Sequence, residues 1–283
     1  MKSVRLILIF SSILAFSFAI FFIFTNEKVL VFQPKGLIAK QELNLIHVNL
    51  ILMLIILVPT FIWLLAVLWK YSKAQGKHDP EKTYGRLNQM IIWALPSLIV
   101  LVMAIHTWKQ THQLDPYRRI SAKEDELVIQ VVAIDWKWLF IYPEQGIASV
   151  NFVQFPEKKA IRFELAADGS PMNSFWIPEL SGQIYCMTGM MTPLHIMADG
   201  VGSYRGKAAE INGEGYAKMN FVAKSSTQEE FSDWVEEVKQ SALELDLPTY
   251  KELLKPSIDH PMELYRAVEA DLFDTIIMKY MHP

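Results

Sequence analysis

The chain has 283 residues, 52% of them apolar and 20% charged, with a net charge of −3. Residues 6–24, 43–69 and 87–108 contain no Asp, Glu, Lys or Arg, and each run reaches the roughly 20 residues that a helix needs to cross the hydrocarbon core of a bilayer. A wholly soluble protein is excluded, and so is a polytopic channel or transporter, because three helices close no bundle around a pathway. The charge is also divided, with 10 basic and 4 acidic residues in 1–108 against 17 and 26 in 109–283. An acidic extramembrane part excludes nucleic acid as a partner, since phosphate binding needs a basic face. The one cysteine, Cys186, has no internal partner for a disulfide.

The first apolar run follows Lys2 and Arg5. It is longer than a usual signal-peptide core and has only a faint small-residue cleavage pattern at Ser17-Phe18-Ala19. It reads as a retained signal-anchor helix within an N-terminal region 1–42. The second and third runs form a transmembrane hairpin over 43–110. Between them lie Lys70, Lys73, Lys77, Lys82 and Arg86 against Asp79 and Glu81. This most basic loop should be cytoplasmic, which places the N-terminus inside and the C-terminal domain outside, in a periplasm or its equivalent. Pro59 and Pro96 mark kinks, Trp69 and Trp108 interfacial anchors, and His47 and His106 wet interfacial positions. A span that moved ions unaided would carry ionisable groups, so these helices are expected to dock on another membrane subunit.

Residues 111–224 form a β-rich module. Leu127–Tyr142 is dense in Val, Ile and aromatics without Pro or Gly, the pattern of one long strand or two in succession. Further strand-prone runs at 148–155, 160–166, 183–187, 194–198 and 218–223 are separated by turn-formers, including Gly200 to Gly206. Short strands at regular spacing predict a sandwich or barrel. Residues 225–283 form an aromatic-rich tail read as helical. One helix starts at a capping box of Ser226 and Glu229, and a second covers Leu264–Met281 with Tyr265, Val268, Leu272, Ile276 and Tyr280 on one side.

No glycine-rich phosphate loop, CxxC or HExxH is present. One soft-ligand cluster, Cys186, Met187, Met190, Met191 and His195, raises a copper site, but a type 1 centre needs two His with its Cys. The Cys-to-His gap here is too long and a second His is lacking. Val201–Met219 (VGSYRGKAAEINGEGYAKM), with Met172–Leu180 (MNSFWIPEL), resembles subunit II of the haem–copper respiratory oxidases. That family's pattern is an H-S-[FW]-x-x-P-like segment followed by G-x-Y-x-G-x-C-x-E-x-C-x-x-x-H-x-x-M. Gly202, Tyr204, Gly206, Glu210, Gly213 and Met219 keep the frame, as do Ser174, Phe175 and Pro178.

The ligand positions have changed. Asn173 stands at the first His, Ala208 and Asn212 at the two Cys, and Tyr216 at the second His, while Glu210 and Met219 match. Asp135–Gly146, Asn173–Tyr185 and Gly189–His195 are similar to the quinol oxidase branch, of the cytochrome bo type, from about Leu45 to the C-terminus. The resemblance implies a membrane-anchored chain with three transmembrane helices, an all-β cupredoxin-like sandwich lacking its binuclear copper ligands, and a C-terminal helical tail. It implies a non-catalytic structural subunit of a proton-pumping quinol oxidase in a bacterial inner membrane, with no cofactor of its own. Haems and copper are expected in the large subunit I, which quinol reaches directly, with small subunits III and IV beside it. Trp136 and Trp138 stand where the family's electron-entry aromatics lie, and packing is their favoured role here. The bo-type relatives often have a lipidated Cys after the first segment, absent here, and a Glu near a proton-channel mouth, where this chain has Gln89. The alternative is a membrane-tethered cupredoxin-like copper-binding protein using the Met/Cys cluster.

Overall fold

The computed structural model describes residues 29–71, 85–120, 125–170 and 172–281. The expected signal-anchor run 6–24, and nearly all of the basic loop between the second and third runs, lie outside the described residues. The chain divides into a helical unit, residues 41–115, and a second unit formed by residues up to 40 and from 116 onward.

The helical unit is built on α1 (Leu37–Tyr71) and α2 (Arg86–Gln113), both long and apolar enough to cross a membrane. Their apolar side chains face outward all round, as expected of helices whose solvent is lipid or another helix. Pro59 and Pro96 lie inside them. Beside Pro59 the Thr60 hydroxyl donates to the Ile56 carbonyl at 2.7 Å. The Asn49 amide donates to the Thr107 hydroxyl at 3.3 Å, a polar link between the two helices.

The second unit is a two-sheet β sandwich. Its strands are β1 (Leu127–Ile134), β2 (Lys137–Tyr142), β3 (Ile147–Val150), β4 (Phe152–Pro156), β5 (Ile161–Ala167), β6 (Met172–Trp176), β7 (Ile184–Met187), β8 (Thr192–Ile196), β9 (Gly202–Ala208) and β10 (Asn220–Ser226). One sheet has the order β4-β10-β9-β6-β7. The other has seven strands, two of them, β11 (Leu243–Leu245) and β12 (Glu263–Val268), supplied by the tail in the order β11-β12-β3-β2-β1-β5-β8. The segment 35–40 is stitched to the sandwich by Lys35 N–H to the Glu179 carbonyl (2.7 Å), Ala39 N–H to the Leu180 carbonyl (3.1 Å) and the Lys40–Asp199 ion pair (2.8 Å).

Between the sheets lies an aromatic core. Phe175 and Phe221 stack with centroids 5.0 Å apart, and Trp138 meets both edge-on. Such pairs add about 0.5–1.5 kcal/mol beyond the area they bury. Gly206, expected to be part of a turn, lies instead within β9. Its missing side chain is what the strand needs, because a Cβ there would sit 2.0 Å from Cζ of Phe221. Glycine marks close approach of a ring here rather than a change of direction.

The tail departs from its expected all-helical form. Helix α3 (Gln228–Lys239) is present, but its capping box is Thr227 with Glu230, one residue beyond the expected pair. The expected helix over Leu264–Met281 is strand β12 followed by α5 (Leu272–Met278), with Asp271 in the left-handed region between them. The strand wins because β3 offers an open edge. Glu263, Leu264 and Tyr265 pair with Val150, Ser149 and Ala148, satisfying backbone groups on both sides. A second core then forms on the outer face of the seven-stranded sheet. There Val132, Ile134, Leu139 and Ile141 are covered by Tyr250 and Leu253 of α4 (Leu247–Leu253) and by Phe273 and Ile276 of α5.

Two buried charges fasten this cover. Lys137 donates from Nζ to the carbonyls of Leu253 (2.8 Å) and Lys255 (2.7 Å), putting a cation at the C-terminal end of α4, where the helix dipole is negative. Burial holds its pKa below the ordinary lysine value, against the pull of Asp135 and Glu263. Asp168, 1% exposed in the turn after β5, accepts from the Tyr250 hydroxyl (2.7 Å), Lys279 Nζ (2.7 Å) and the Tyr280 hydroxyl (2.6 Å). Burial works to raise the Asp168 pKa, but these three hydrogen bonds and the Lys279 charge outweigh it and leave the carboxyl below its ordinary value.

Because the folded pKa is depressed, the clamp contributes its full stability above the ordinary carboxyl value near 4 and loses it as pH falls through the lower folded value. Asp168→Asn should cost about 2 kcal/mol at neutral pH, the scale of hydrogen bonds to a charged group. The difference from the parent protein should shrink below about pH 4, measured by denaturant unfolding. A variant equally stable at pH 7 would show that the clamp does not hold the tail.

Candidate functional site

β6 and the loop leaving β9 bring most of the altered ligand positions together. Strand alternation turns Asn173 and Phe175 to the inner face of β6. Phe175 pairs with Ala208, and the Ala209 N–H donates to the Ser174 carbonyl at 2.9 Å. The loop 209–219 is then pinched shut, because the Ala208 N–H donates to the Met219 carbonyl at 3.0 Å. Inside the neck the Asn212 amide donates to Oδ1 of Asn173, and it lies 3.4 Å from Sδ of Met219. Asn173 and Met219 are completely buried. Tyr216 opens a short 3-10 turn, Tyr216–Lys218, and packs its ring against the core. Glu210 is partly buried within the loop.

Trp136 holds the loop from the other side. Its backbone is left-handed, with φ of 61°, at the β1–β2 turn, and its indole packs against Gly213 and Gly215 of the loop. A Cβ on Gly215 would be 2.2 Å from Cγ of Trp136, so only glycine allows this approach. The Trp136 N–H reaches the Asn212 carbonyl at 3.4 Å. Trp138 is buried among Phe175 and Phe221, so packing describes its place in the fold. Gln89 is exposed in the first turn of α2.

These donors do not fit a binuclear copper centre. A methyl group at Ala208 and an amide at Asn212 stand where two bridging thiolates would be required to join two soft metals. The Met/Cys cluster is also dispersed. Cys186 points into the sandwich core, where burial pushes its thiol pKa up. His195 lies on β8 in the other sheet, with Nδ1–H donating to the Pro116 carbonyl at 2.9 Å. Met190 and Met191 are exposed. Among the described residues no three His, Cys, Asp or Glu side chains group to hold a metal.

Sequence reasoning named Asn173 and Asn212 only as lost ligands and missed that they pair with each other. It also missed the loop contact of Trp136. The available signal was the Gly213-x-Gly215 pair, which marks a backbone that a large ring must approach.

The COX Aromatic Rich Motif family model matches residues 239–283, the segment that supplies both tail strands, α4, α5 and the Asp168 partners. The cytochrome bo(3) ubiquinol oxidase subunit 2 of Pseudomonas aeruginosa is 41% identical over 254 residues, covering 89% of this chain and 76% of that protein. The ubiquinol oxidase subunit 2 of Acetobacter aceti is also 41% identical, over 88% of this chain and 82% of its own length. Among solved structures, the periplasmic domain of subunit II of cytochrome oxidase from Bradyrhizobium japonicum is 22% identical over 41% of this chain and 96% of that one, with a TM-score of 0.38.

Two outcomes test this site. Asn212→Ala should destabilise the protein by about 1–3 kcal/mol, because it leaves Asn173 buried without its partner. Asn173→Ala added to it should cost far less than the two single changes summed, and strict additivity would deny the pair. The combined change Asn173→His, Ala208→Cys, Asn212→Cys and Tyr216→His should let added copper give a visible mixed-valence spectrum, lost when either cysteine is omitted. A folded variant without that spectrum would show that the loop frame is not the family's.

Proposed function

The chain belongs to the subunit 2 family of the quinol oxidases, and from that membership we propose that it is the non-catalytic structural subunit of a proton-pumping terminal quinol oxidase. The supporting observation is the loop at 208–219, which keeps the family frame, Met219 included, but is closed by the Asn173–Asn212 amide pair and the Trp136 indole. A soluble one-electron donor needs a relay on the outer surface. Quinol dissolves in the lipid and can reach a membrane subunit directly, so the relay becomes dispensable while the domain persists as a cap.

In this reading the haems, the oxygen-reducing copper and quinol oxidation belong to the large subunit I, and small subunits III and IV complete the assembly. The sandwich is of the cupredoxin type and lies on the periplasmic side of a bacterial inner membrane. The chain is multi-pass, with the run 6–24 as a third, retained helix and Gln89 as a changed proton-entry position. The all-round apolar surface of α1 and α2 supports docking on a larger helical subunit, since helices associate in lipid through close packing and polar links.

Purification in mild detergent should yield this chain with a larger haem-bearing subunit, seen by subunit mass and an optical spectrum. A charged residue at Leu57, Leu65 or Ile99 should reduce that co-purification several-fold. Recovery of this chain alone, free of haem absorbance from gently solubilised membranes, would reject the assignment.

A further inference from the structure

The outer faces of the two sheets differ. That of the seven-stranded sheet is covered by the tail. On the five-stranded sheet α3 lies across the β4 edge, where the Trp234 and Phe152 ring centroids are 5.8 Å apart and the buried Gln154 amide donates to the Glu230 carbonyl at 3.3 Å. Beyond α3, β10 and β9 form an open trough. Strand alternation turns Tyr204, Phe221 and Ala223 into the core and Arg205, Val222 and Lys224 outward to solvent. Val222 stands directly opposite Arg205, and Lys224 opposite Ser203.

Charge on this face is segregated. Strands β6, β7, β9 and β10 contain no Asp or Glu, and among the described residues no ion pair engages Arg205 or Lys224. Lys207 Nζ rests over the Trp176 ring, 4.8 Å from its centroid, and adds a third cation to the strip. Helix α3 is the opposite case. It shows Glu229, Glu230, Asp233, Glu236 and Glu237 to solvent, and Lys239 of the same helix neutralises Glu236 at 2.9 Å. Residues 109–283 hold 17 basic and 26 acidic residues, so a cationic strip without carboxylates runs against the prevailing sign, directly beside an anionic ridge.

A strip and a ridge of opposite charge, side by side on one face, are complementary to themselves under a two-fold axis. We propose that this face pairs with a second copy of the chain, α3 of each copy filling the trough over Arg205 and Lys224 of the other. Val222, exposed between the two patches, then lies next to the axis. The contact is mainly electrostatic, so it fixes orientation and weakens as salt screens it. Nothing in this assignment depends on the oxidase reading.

The test uses the full-length chain in detergent with its co-purifying subunits, and counts copies of the chain per particle by mass photometry and native mass spectrometry. Two copies should be present at about 50 mM salt and one at about 500 mM, as the Debye length falls from about 14 Å to about 4 Å. Arg205→Glu with Lys224→Glu, which leaves Lys207 on Trp176, should raise the dimer dissociation constant at least about 10-fold. Asp233→Lys with Glu237→Lys, which leaves the Glu236–Lys239 pair, should do the same. Neither reversed chain should pair with itself, yet the two mixed should form a heterodimer, because strip and ridge are then complementary in both contacts. Single copies at low salt, pairing that survives both reversals, or folded reversed chains that do not pair with each other would each overturn the proposal. So would loss of a different subunit on Arg205→Glu with Lys224→Glu at unchanged copy number, which would give the face to that subunit.

Discussion

The second unit depends on one constraint: β1 and β2 carry apolar side chains on both faces. Val131 and Phe140 face the sandwich interior, while Val132, Ile134, Leu139 and Ile141 face away from it. A two-sheet sandwich alone would leave that second set in water, and each such side chain is worth about 1.5–3 kcal/mol when buried. The tail resolves this by adding two strands to the sheet edge and laying α4 and α5 over the outer face. It is therefore a second layer of the same fold.

That arrangement explains where the buried charges lie. A cover made of two seven-residue helices has few contacts of its own, and short helices are marginal without tertiary support. Lys137 and Asp168 both come from the sandwich side, and both hold tail groups: Lys137 the end of α4, Asp168 the hydroxyls of Tyr250 and Tyr280 and the ammonium of Lys279. Each charge is satisfied by several partners, as burial requires. The aromatic residues that mark the tail thus serve two purposes, filling the outer core with their rings and donating hydroxyl protons to Asp168.

The loop at 208–219 is held in place by contacts at its neck and beneath it. Its conformation rests on backbone hydrogen bonds at the neck, on the Asn173–Asn212 contact and on the indole of Trp136 beneath Gly213 and Gly215. None of these requires a metal. The loop's shape is therefore carried by this chain's own side chains and backbone.

Local pattern determined much of this protein. The two described apolar helices, the strand-rich module and the helix at Gln228–Lys239 are all legible in sequence, because uncharged length, β-branched density and helical spacing are properties of contiguous residues. Leu127–Tyr142, interrupted only by Gln130, Asp135 and Lys137, is apolar at both alternating sets of positions, a sign of two covered faces though not of what covers them. Only the tertiary structure decided that Gly206 belongs to a strand, that Leu264 and Tyr265 pair with β3, and that Asn173 meets Asn212. It also decided that Lys137 and Asp168 are buried beneath the tail. Each of these is settled by a partner between 15 and about 120 positions away, and the competing local preferences, a turn at Gly206 and a helix at Leu264, are weak beside an open sheet edge or a ring that needs space.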